Sequence, residues 1–508
     1  MFTKIKSFSL IGLDGVAIDT EVDINIGLPS YDIVGLPDAA VKESKERVRS
    51  AIKNSGFSFP TKKITVNLAP ANIKKAGPIF DLPIAVAILG ASSQLVSTKI
   101  KDFIILGELG LDGSVKPVSG VLPILIAAKN MGFKKFLIPK ENENEASYIE
   151  GIETFAVDSL SMAASFLSGA LQLDAVKNRK WNSELSSNIN EDFSRVKGQR
   201  IAKRAIEIAV SGGHNILMVG PPGTGKTMIA RCIPGIMPEL TFDEALELTK
   251  IHSVAGTLDL SKGIITTRPF RSPHHTASTV ALTGGGRDAK PGELSLASGG
   301  VLFLDELPEY QRNTLEALRQ PLEDGVITIS RVSGTYEYPA NFILVASMNP
   351  CPCGNYGSRD LECKCSPADI QRYLKKLSGP LLDRIDLKIN VERVKFFELT
   401  DSSNEETSEE IKKRVDRARK IQEERFAGTR IRVNAKMNSK MINEFCKLDD
   451  ECSKLMELAF EKYHISARGF TRILKVARTI ADLDGSQNIA TKHITEALAY
   501  RNIDRFSL

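Results

Sequence analysis

A glycine-rich octapeptide, GPPGTGKT at residues 220–227, constrains this chain more than any other feature. It follows an apolar run at residues 215–219 that predicts a buried strand, and it fits the pattern G-x-x-x-x-G-K-[ST] of a phosphate-binding loop between a strand and a helix. Glycines let backbone N–H groups face the phosphates, Lys226 adds a cation, and the Thr227 hydroxyl is a ligand for Mg²⁺. The predicted ATP-binding residues are Gly220, Pro221, Pro222, Gly223, Thr224, Gly225, Lys226 and Thr227.

A second motif, VLFLDE at residues 301–306, places two carboxylates where another strand of the same sheet should end. Parallel strands of a nucleotide-binding sheet end at one edge, so we expect these carboxylates beside the phosphates. Asp305 would hold Mg²⁺ together with Thr227, and Glu306 would orient or deprotonate the attacking water. The two motifs together predict ATP hydrolysis with Mg²⁺ as cofactor.

These motifs, with Asn349 in ASMNP after another apolar run, resemble the AAA+ ATPases. The resemblance implies that Asn349 is the sensor-1 residue. The segment SGPLLDRIDL resembles the arginine-finger segment of the Mg-chelatase and MCM-like branch, which implies that Arg384 reaches the γ-phosphate of a neighbouring subunit. Arg468 in SARGFTRILKVARTIADL matches the sensor-2 position, although Arg472, one helical turn away, is an alternative. Because Arg384 would act on ATP bound by a neighbouring subunit, this assignment requires an oligomer.

Composition and charge set limits on the partners. The 508 residues are 42% hydrophobic and 25% charged, as in globular proteins, and the net charge of +5 is too small to indicate a nucleic-acid partner by itself. All of the excess positive charge lies beyond residue 170. Neither a secretory signal nor a membrane-spanning run is visible, so we expect a cytoplasmic protein that does not cross a membrane.

Two segments of the nucleotide-binding region suit contact with DNA. A long insertion separates the two ATPase motifs, and its cations and flexible Gly284–Gly286 run suit a pore loop that touches phosphates, although a loop packed on the ring fits equally well. The runs VITISR, VSGT and YEYP predict a hairpin like the one that precedes sensor 1 in MCM and chelatase-type motors. The candidate DNA contacts are Arg271, His274, His275 and Arg287 in the insertion, together with Arg268, and Arg331 in the hairpin.

Four of the seven cysteines lie close together, in the order C-x-C, nine residues, C-x-C. Four thiolates are enough for one tetrahedral Zn²⁺, but zinc pairs usually have at least two residues between ligands. The sequence therefore leaves open whether these thiols bind zinc or remain reduced and tie a loop after sensor 1. The candidate ligands are Cys351, Cys353, Cys363 and Cys365.

The N-terminal part resembles a different protein. Residues 107–145 are similar to the proteolytic domain of Lon, and KKAGPIFDLPIAVAIL resembles the stretch that carries its nucleophile. Ile79 takes the place of the nucleophile and Leu122 that of its lysine partner, so no Ser/Lys dyad is present and peptidase activity is not expected. The resemblance implies a Lon-like α/β fold kept for packing, assembly or partner binding.

Taken together, the chain is identified as a member of the YifB/ComM family of Mg-chelatase-like ATPases by its order of motifs, which includes PHH, GGG, SLASGGVLFLDELPE and NPCPCG. The expected fold is α/β. The expected parts are a Lon-like domain at 1–168, a linker at 169–193, an AAA+ core with a parallel sheet and chelatase-type inserts at 194–400, and a helical lid at 401–508.

The family resemblance implies a cytoplasmic homohexameric ring that hydrolyses ATP and drives branch migration of DNA in recombination and natural transformation. One alternative is an AAA+ subunit that remodels a protein or assists a metal chelatase, although no porphyrin-binding pocket is evident in the sequence. Another is a nucleotide-gated scaffold, which the intact Asp305 and Glu306 disfavour because a switch needs no water-activating carboxylate.

Overall fold

The computed structural model describes residues 1–96, 99–182, 191–286, 289–331, 334–357, 361–394 and 405–501. The chain divides into two compact units. The first comprises Met1–Asn182, Thr241–Ile265 and Thr328–Tyr338, and the second comprises Ser183–Leu240, Thr266–Ile327 and Pro339–Leu508. Two stretches from within residues 194–400 therefore belong to the first unit. The four-part division by sequence position stays a prediction.

A seven-stranded mixed sheet forms the centre of the first unit, in the order β3-β4-β2-β1-β5-β8-β9. Its long strands β1 and β2 are antiparallel, whereas β5, β8 and β9 run parallel to their neighbours. The strands of this unit, including a two-stranded hairpin of β6 and β7, are β1 (Phe2–Ile11), β2 (Asp14–Asn25), β3 (Ser30–Val34), β4 (Lys63–Ala69), β5 (Phe103–Ile105), β6 (Glu108–Leu109), β7 (Val115–Lys116), β8 (Lys135–Pro139) and β9 (Glu153–Val157).

Helices cover this sheet. Two of them are Ala39–Asn54 and Val121–Asn130, and the Asp38 carboxylate caps the first by accepting from the N–H of Val41. The helix Asp81–Ala91 is buried along almost its whole length because it is apolar on all sides. The α-helices of this unit are Ala39–Asn54, Asp81–Ala91, Val121–Asn130, Glu143–Ala146, Leu160–Ser168 and Phe242–Ala255.

A five-stranded parallel sheet forms the centre of the second unit, in the order β11-β14-β17-β10-β18. The strands β10, β14 and β17 consist of buried residues, which is typical of a parallel sheet covered on both faces. Its strands are β10 (Ile216–Val219), β11 (Phe270–Arg271), β14 (Val301–Leu304), β17 (Ile343–Met348) and β18 (Leu387–Asn390). The predicted α/β core with a parallel sheet is confirmed.

Two short hairpins are separate from these sheets, one within the second unit and the other mostly within the first. They are formed by β12 (Gly284–Gly285) with β13 (Lys290–Pro291), and by β15 (Val326–Arg331) with β16 (Gly334–Pro339). The second is the hairpin that the sequence predicts. The α-helices between and beside the strands of the second unit are Arg200–Gly212, Lys226–Cys232, Thr279–Thr283, Glu293–Leu296, Arg312–Glu316, Arg319–Asp324, Pro367–Leu374 and Gly379–Leu382.

The C-terminal region is helical, as predicted. Its first helix begins at a capping box in which the Thr407 hydroxyl and the Glu410 carboxylate each accept from the other residue's backbone N–H. The helices of this region are Ser408–Arg425, Ser439–Phe445, Asp450–Tyr463, Ala467–Leu483 and Thr491–Ala499. Across the described ranges, no helix is both long enough and apolar enough to cross a bilayer.

Candidate ATPase site

The glycine-rich loop connects β10 to the helix Lys226–Cys232, as the motif requires. Gly220 lies so close to the backbone just after β18 that a Cβ atom built there would be 2.2 Å from the carbonyl oxygen of Val391, so only glycine fits. The Lys226 ammonium donates to the carbonyl oxygens of Gly220 at 2.7 Å and Pro221 at 2.8 Å. Burial lowers the pKa of Lys226, and the charges of Asp305 and Glu306 oppose that shift.

Asp305 follows β14 and lies directly beside the loop. The Thr227 hydroxyl donates to Oδ2 of Asp305 at 3.0 Å, and the backbone N–H of Glu306 donates to Oδ1 at 3.0 Å. The Ser347 hydroxyl, fully buried on β17, also donates to Oδ1. A hydroxyl and a carboxylate oxygen held this close form a donor set that suits Mg²⁺. Sequence reasoning missed Ser347, although its place between a predicted buried run and Asn349 was a signal.

Glu306 has a left-handed backbone conformation, with φ of 51°, and its side chain is 56% exposed. Its Oε2 lies 3.6 Å from Nδ1 of His275. The ring centroids of His274 and His275 lie 4.1 Å apart, with the ring planes tilted by 34°. The Tyr310 hydroxyl donates to the carbonyl of the preceding Pro273 at 2.6 Å. The sequence predicts His275 as a DNA contact, and the fold also brings it to the Glu306 carboxylate.

Asn349 follows β17 at the same edge of the sheet. The N–H of Gly220 donates to the carbonyl of Met348 at 3.1 Å, which brings the start of the loop and the end of β17 together. The parallel pairing of β10 with β17 and of β14 with β17 aligns the ends of all three strands. Lys226, Asp305 and Asn349 therefore lie along one edge, and the sensor-1 role of Asn349 stays a prediction.

Arg384 lies at the opposite edge of this sheet. It precedes β18, which pairs in parallel with β10 from Ile216↔Leu387 to Val219↔Asn390, whereas the glycine-rich loop follows β10. A four-residue strand spans about 13 Å, so Arg384 is too distant to contact phosphates bound by its own loop. Its guanidinium pairs with the Glu323 carboxylate, which holds the pKa of Glu323 below its usual range, and donates to the carbonyl of Pro380 at 2.9 Å.

The two sensor-2 candidates lie near Arg384. Arg472 pairs with Asp386 at 3.1 Å, and Asp386 in turn accepts from the N–H of Asn215 at the start of β10. Both candidates and Arg384 line a cavity of about 260 Å³. The cationic residues of its lining are Arg384, Lys436, Arg468, Arg472 and Lys475. Both candidate arginines are thus on the side of the sheet away from the glycine-rich loop of the same chain.

The candidate DNA contacts have different surroundings. Arg271 forms a two-point ion pair with Glu293, with both distances 2.6 Å, and Arg268 donates to the carbonyls of Pro238, Glu239 and Gly299. His274 is exposed, as is Arg331 at the end of β15. Arg287 lies outside the described residues. Arg331 and His274 therefore present polar groups to solvent, whereas Arg268 and Arg271 take part in local structure.

The four clustered cysteines lie in the loop after Asn349. Three sulfur–sulfur distances are 3.4 Å from Cys351 to Cys353, 3.7 Å from Cys351 to Cys363, and 3.6 Å from Cys353 to Cys363. With Cys365, all four sulfur atoms lie within 4.8 Å of one another. Backbone N–H groups of Asn355 and Lys364 donate to the Cys353 sulfur and lower its pKa to about 6.

The positions that correspond to the Lon dyad are part of the apolar interior of the first unit. Ile79 is 8% exposed and Leu122 is 1% exposed, and both belong to the hydrophobic core. The N–H of Leu122 donates to the buried carboxylate of Glu145. Both side chains thus pack in the apolar interior, and the expected lack of peptidase activity stays a prediction.

Three family models match the chain in order. Residues 20–142 match "Subunit ChlI of Mg-chelatase", residues 192–399 match "Magnesium chelatase, subunit ChlI", and residues 405–501 match "Magnesium chelatase, subunit ChlI C-terminal". The matches follow the order of the N-terminal part, the nucleotide-binding core and the helical end.

Individual proteins are similar over nearly the whole chain. The Competence protein ComM of Haemophilus influenzae is 45% identical over 507 residues, which cover 99% of this chain and 97% of that protein. The protein YifB of Escherichia coli is 44% identical over 502 residues, with 99% and 97% covered. Lon protease 2 of Bacillus subtilis is 35% identical over 118 residues, 23% of this chain and 21% of that protein, which confirms the Lon-like similarity. The chain therefore belongs to the YifB/ComM family of Mg-chelatase-like AAA+ ATPases.

Proposed function

We propose that this protein is an ATP-driven DNA motor: a cytoplasmic homohexameric ring that hydrolyses ATP and drives branch migration of DNA in recombination and natural transformation. The observation that carries the ATPase part is the meeting of Lys226, Thr227 and Asp305 at one sheet edge, with Glu306 next to them. These are the parts that phosphoryl transfer to water requires.

The chemistry can be assigned to this chain's own residues. Thr227 and Asp305 would hold Mg²⁺, which neutralises the charge on the β- and γ-phosphates when bound. Lys226 places a buried cation at the loop. Glu306 orients the attacking water and accepts its proton, and His275, with Nδ1 3.6 Å from Oε2, is the neighbouring group placed to influence the direction of that carboxylate. Asn349 would contribute a polar side chain beside the γ-phosphate.

The position of Arg384 supports a site shared between subunits. Because Arg384, Arg468 and Arg472 lie at the edge opposite the glycine-rich loop, one chain supplies the loop and its neighbour supplies the arginines. Such a head-to-tail contact closes into a ring when the rotation per subunit permits. An arginine supplied in this way stabilises negative charge that develops in the transition state.

The DNA part of the proposal depends on surface charge and on similarity. All of the excess positive charge lies beyond residue 170, and the exposed Arg331 lies at the end of a hairpin strand, where a cation can contact phosphates. The similar protein from Haemophilus influenzae is named a competence protein. The second candidate function, an AAA+ subunit that acts on a protein partner or in a metal chelatase, is favoured by the matched models, which all describe a magnesium chelatase subunit.

One experiment distinguishes the DNA motor from the AAA+ subunit that acts on a protein partner or in a metal chelatase. ATP hydrolysis by the purified full-length protein is measured alone, with four-way junction DNA and with forked DNA, over a series of salt concentrations, beside the Glu306→Gln variant. A DNA motor predicts stimulation that weakens as salt rises, because phosphate contacts release counterions. It also predicts no stimulated hydrolysis in the variant. Hydrolysis that ignores every DNA would overturn the motor and favour the protein-remodelling or chelatase function, whereas ATP binding without turnover would contradict both.

A further inference from the structure

The four cysteine sulfurs after β17 lie as close together as the ligands of a single metal ion. A Zn–S bond of about 2.3 Å in tetrahedral geometry places sulfur atoms about 3.8 Å apart. The observed separations are 3.4, 3.6 and 3.7 Å, and the fourth sulfur lies within 4.8 Å of the others. A disulfide requires about 2.05 Å, and all four cysteines are free thiols. The spacing suits ligands around one central ion.

The surroundings of these sulfurs also suit thiolate ligands. The backbone N–H of Tyr356 donates to the Cys351 sulfur at 3.3 Å, and the N–H groups of Asn355 and Lys364 donate to that of Cys353. N–H donors to ligand sulfurs are the outer partners that orient a metal site. Only Cys351 is fully buried, and Cys353 is exposed, so apolar packing does not account for the convergence of all four.

We propose that Cys351, Cys353, Cys363 and Cys365 bind one Zn²⁺, and that this metal-held loop supports the glycine-rich loop. Four thiolates with no water position form a closed, structural site. The sequence alone leaves open whether the short C-x-C spacing allows zinc binding. The structure is compatible with a zinc site because the sulfur atoms of both pairs lie close together.

The contact with the glycine-rich loop is made by Gly354, between the two halves of the cluster. Its φ is 80°, and a Cβ atom built there would lie 2.6 Å from Cδ of Pro222. Because the proline ring is rigid, the cysteine loop and the glycine-rich loop are close-packed here and leave no room for a side chain at residue 354. The cluster also begins two residues after Asn349. An ion at the cysteines would therefore fix a loop in contact with one side of the ATP site. This second part of the proposal rests on the proposed ATP binding.

Metal content tests the first part. Full-length protein purified without an affinity metal is analysed by inductively coupled plasma mass spectrometry, and we expect about one zinc per chain. Cys353→Ser and Cys363→Ser should each lose the metal. Cys452→Ser is the matched control, because that buried thiol lies outside the cluster and its contact with the carbonyl of Ile489 suits a hydroxyl equally.

Cobalt gives a readout that does not depend on purification history. After removal of the metal, added Co²⁺ should produce the thiolate charge-transfer and tetrahedral ligand-field bands of a four-sulfur site in the wild type and in Cys452→Ser, but not in Cys353→Ser. Protein that contains no stoichiometric metal and gives no such bands would overturn the zinc site. Iron in place of zinc would overturn the assignment of the ion.

The support of the glycine-rich loop by the cysteine loop is tested with a fluorescent ATP analogue and two glycine variants. Gly354→Ala adds a methyl group against Pro222, whereas Gly357→Ala, in the same loop with φ of 77°, meets nothing within 4 Å. Both variants carry the same backbone strain, so only the contact differs. We expect Gly354→Ala to bind the analogue about tenfold more weakly than Gly357→Ala, the size of an overpacked contact, at unchanged metal content.

Equal binding by the two variants would overturn the support of the glycine-rich loop and leave the zinc site standing. Failure of the wild type itself to bind the analogue would instead contradict the proposed ATPase function, while the metal measurements would still decide the zinc site.

Discussion

The Nδ1 atom of His275 lies 3.6 Å from Oε2 of Glu306, so an imidazole from the insertion is next to the carboxylate that would activate water. Glu306 has few other constraints, because its side chain is 56% exposed and follows a left-handed backbone position. We therefore propose that the insertion provides a group that orients the proposed general base.

His275→Ala is expected to lower kcat of ATP hydrolysis by about tenfold with little change in KM, because the carboxylate loses its orienting partner while the phosphate-binding loop is untouched. His275→Gln should recover part of the rate, since an amide nitrogen can take the place of the ring nitrogen. Steady-state kinetics of the three proteins provide the measurement. A rise in KM at constant kcat would show that His275 acts on nucleotide binding instead.

Ser347→Ala is expected to raise the Mg²⁺ concentration for half-maximal hydrolysis by about 10- to 100-fold, the usual loss when an outer partner of a metal ligand is removed. The reason is that the Ser347 hydroxyl donates to Asp305. Ser295→Ala is a matched control, because Ser295 is equally buried and its hydroxyl has no hydrogen-bond partner in the part of the chain described. If both variants show the wild-type Mg²⁺ requirement, the orienting role of Ser347 is wrong.

Mixing two inactive variants tests the shared site. Lys226→Ala loses the loop cation, and Arg384→Ala should lose about 10³-fold or more of the rate, as expected for an arginine that contacts the transferred phosphate. In an equal mixture about a quarter of the head-to-tail interfaces pair an intact loop with an intact arginine, so activity should return to about that fraction. Native mass spectrometry verifies that the subunits exchange. Mixed rings without any recovery would contradict the assignment of Arg384 to the neighbouring subunit.

The buried carboxyl of Asp81 predicts a pH dependence for the first unit. Burial raises its pKa to about 6, although Arg47 at 2.6 Å opposes the shift. An unfolded aspartate titrates near about 3.9, so between these values the folded state binds the additional proton. The free energy of unfolding should therefore increase as pH falls from about 6 to about 4, by up to about 1.4 kcal/mol per pH unit.

This effect is measured against Asp81→Asn, which cannot titrate. Trp181, the only tryptophan, lies in the first unit with its ring 5.9 Å from that of Phe242, so its fluorescence reports urea unfolding of this unit. The difference in unfolding free energy between wild type and variant should grow in favour of the wild type at the lower pH. A difference that is constant from pH 7 to pH 4 would disprove the raised pKa.

Local sequence predicted the glycine-rich loop and the acidic pair because both depend on short, contiguous patterns. A loop between a buried strand and a helix needs particular residues at fixed spacing, and so does a strand that ends in Asp305 and Glu306. The helices at 39–54 and 121–130 were predictable for the same reason, since their apolar periodicity is local. The sequence by itself thus determined the two α/β cores, the helical end and the residues of the ATPase motifs.

Only the tertiary structure decided which distant residues meet. Ser347 reaches Asp305 because β14 and β17 are neighbours, and Arg384 lies away from the glycine-rich loop because β10 and β18 run parallel. The cysteines converge because a loop folds back on itself, which brings Cys351 to Cys363. Strand order and loop closure are set by the burial of apolar surface summed over the whole unit, which no short pattern encodes.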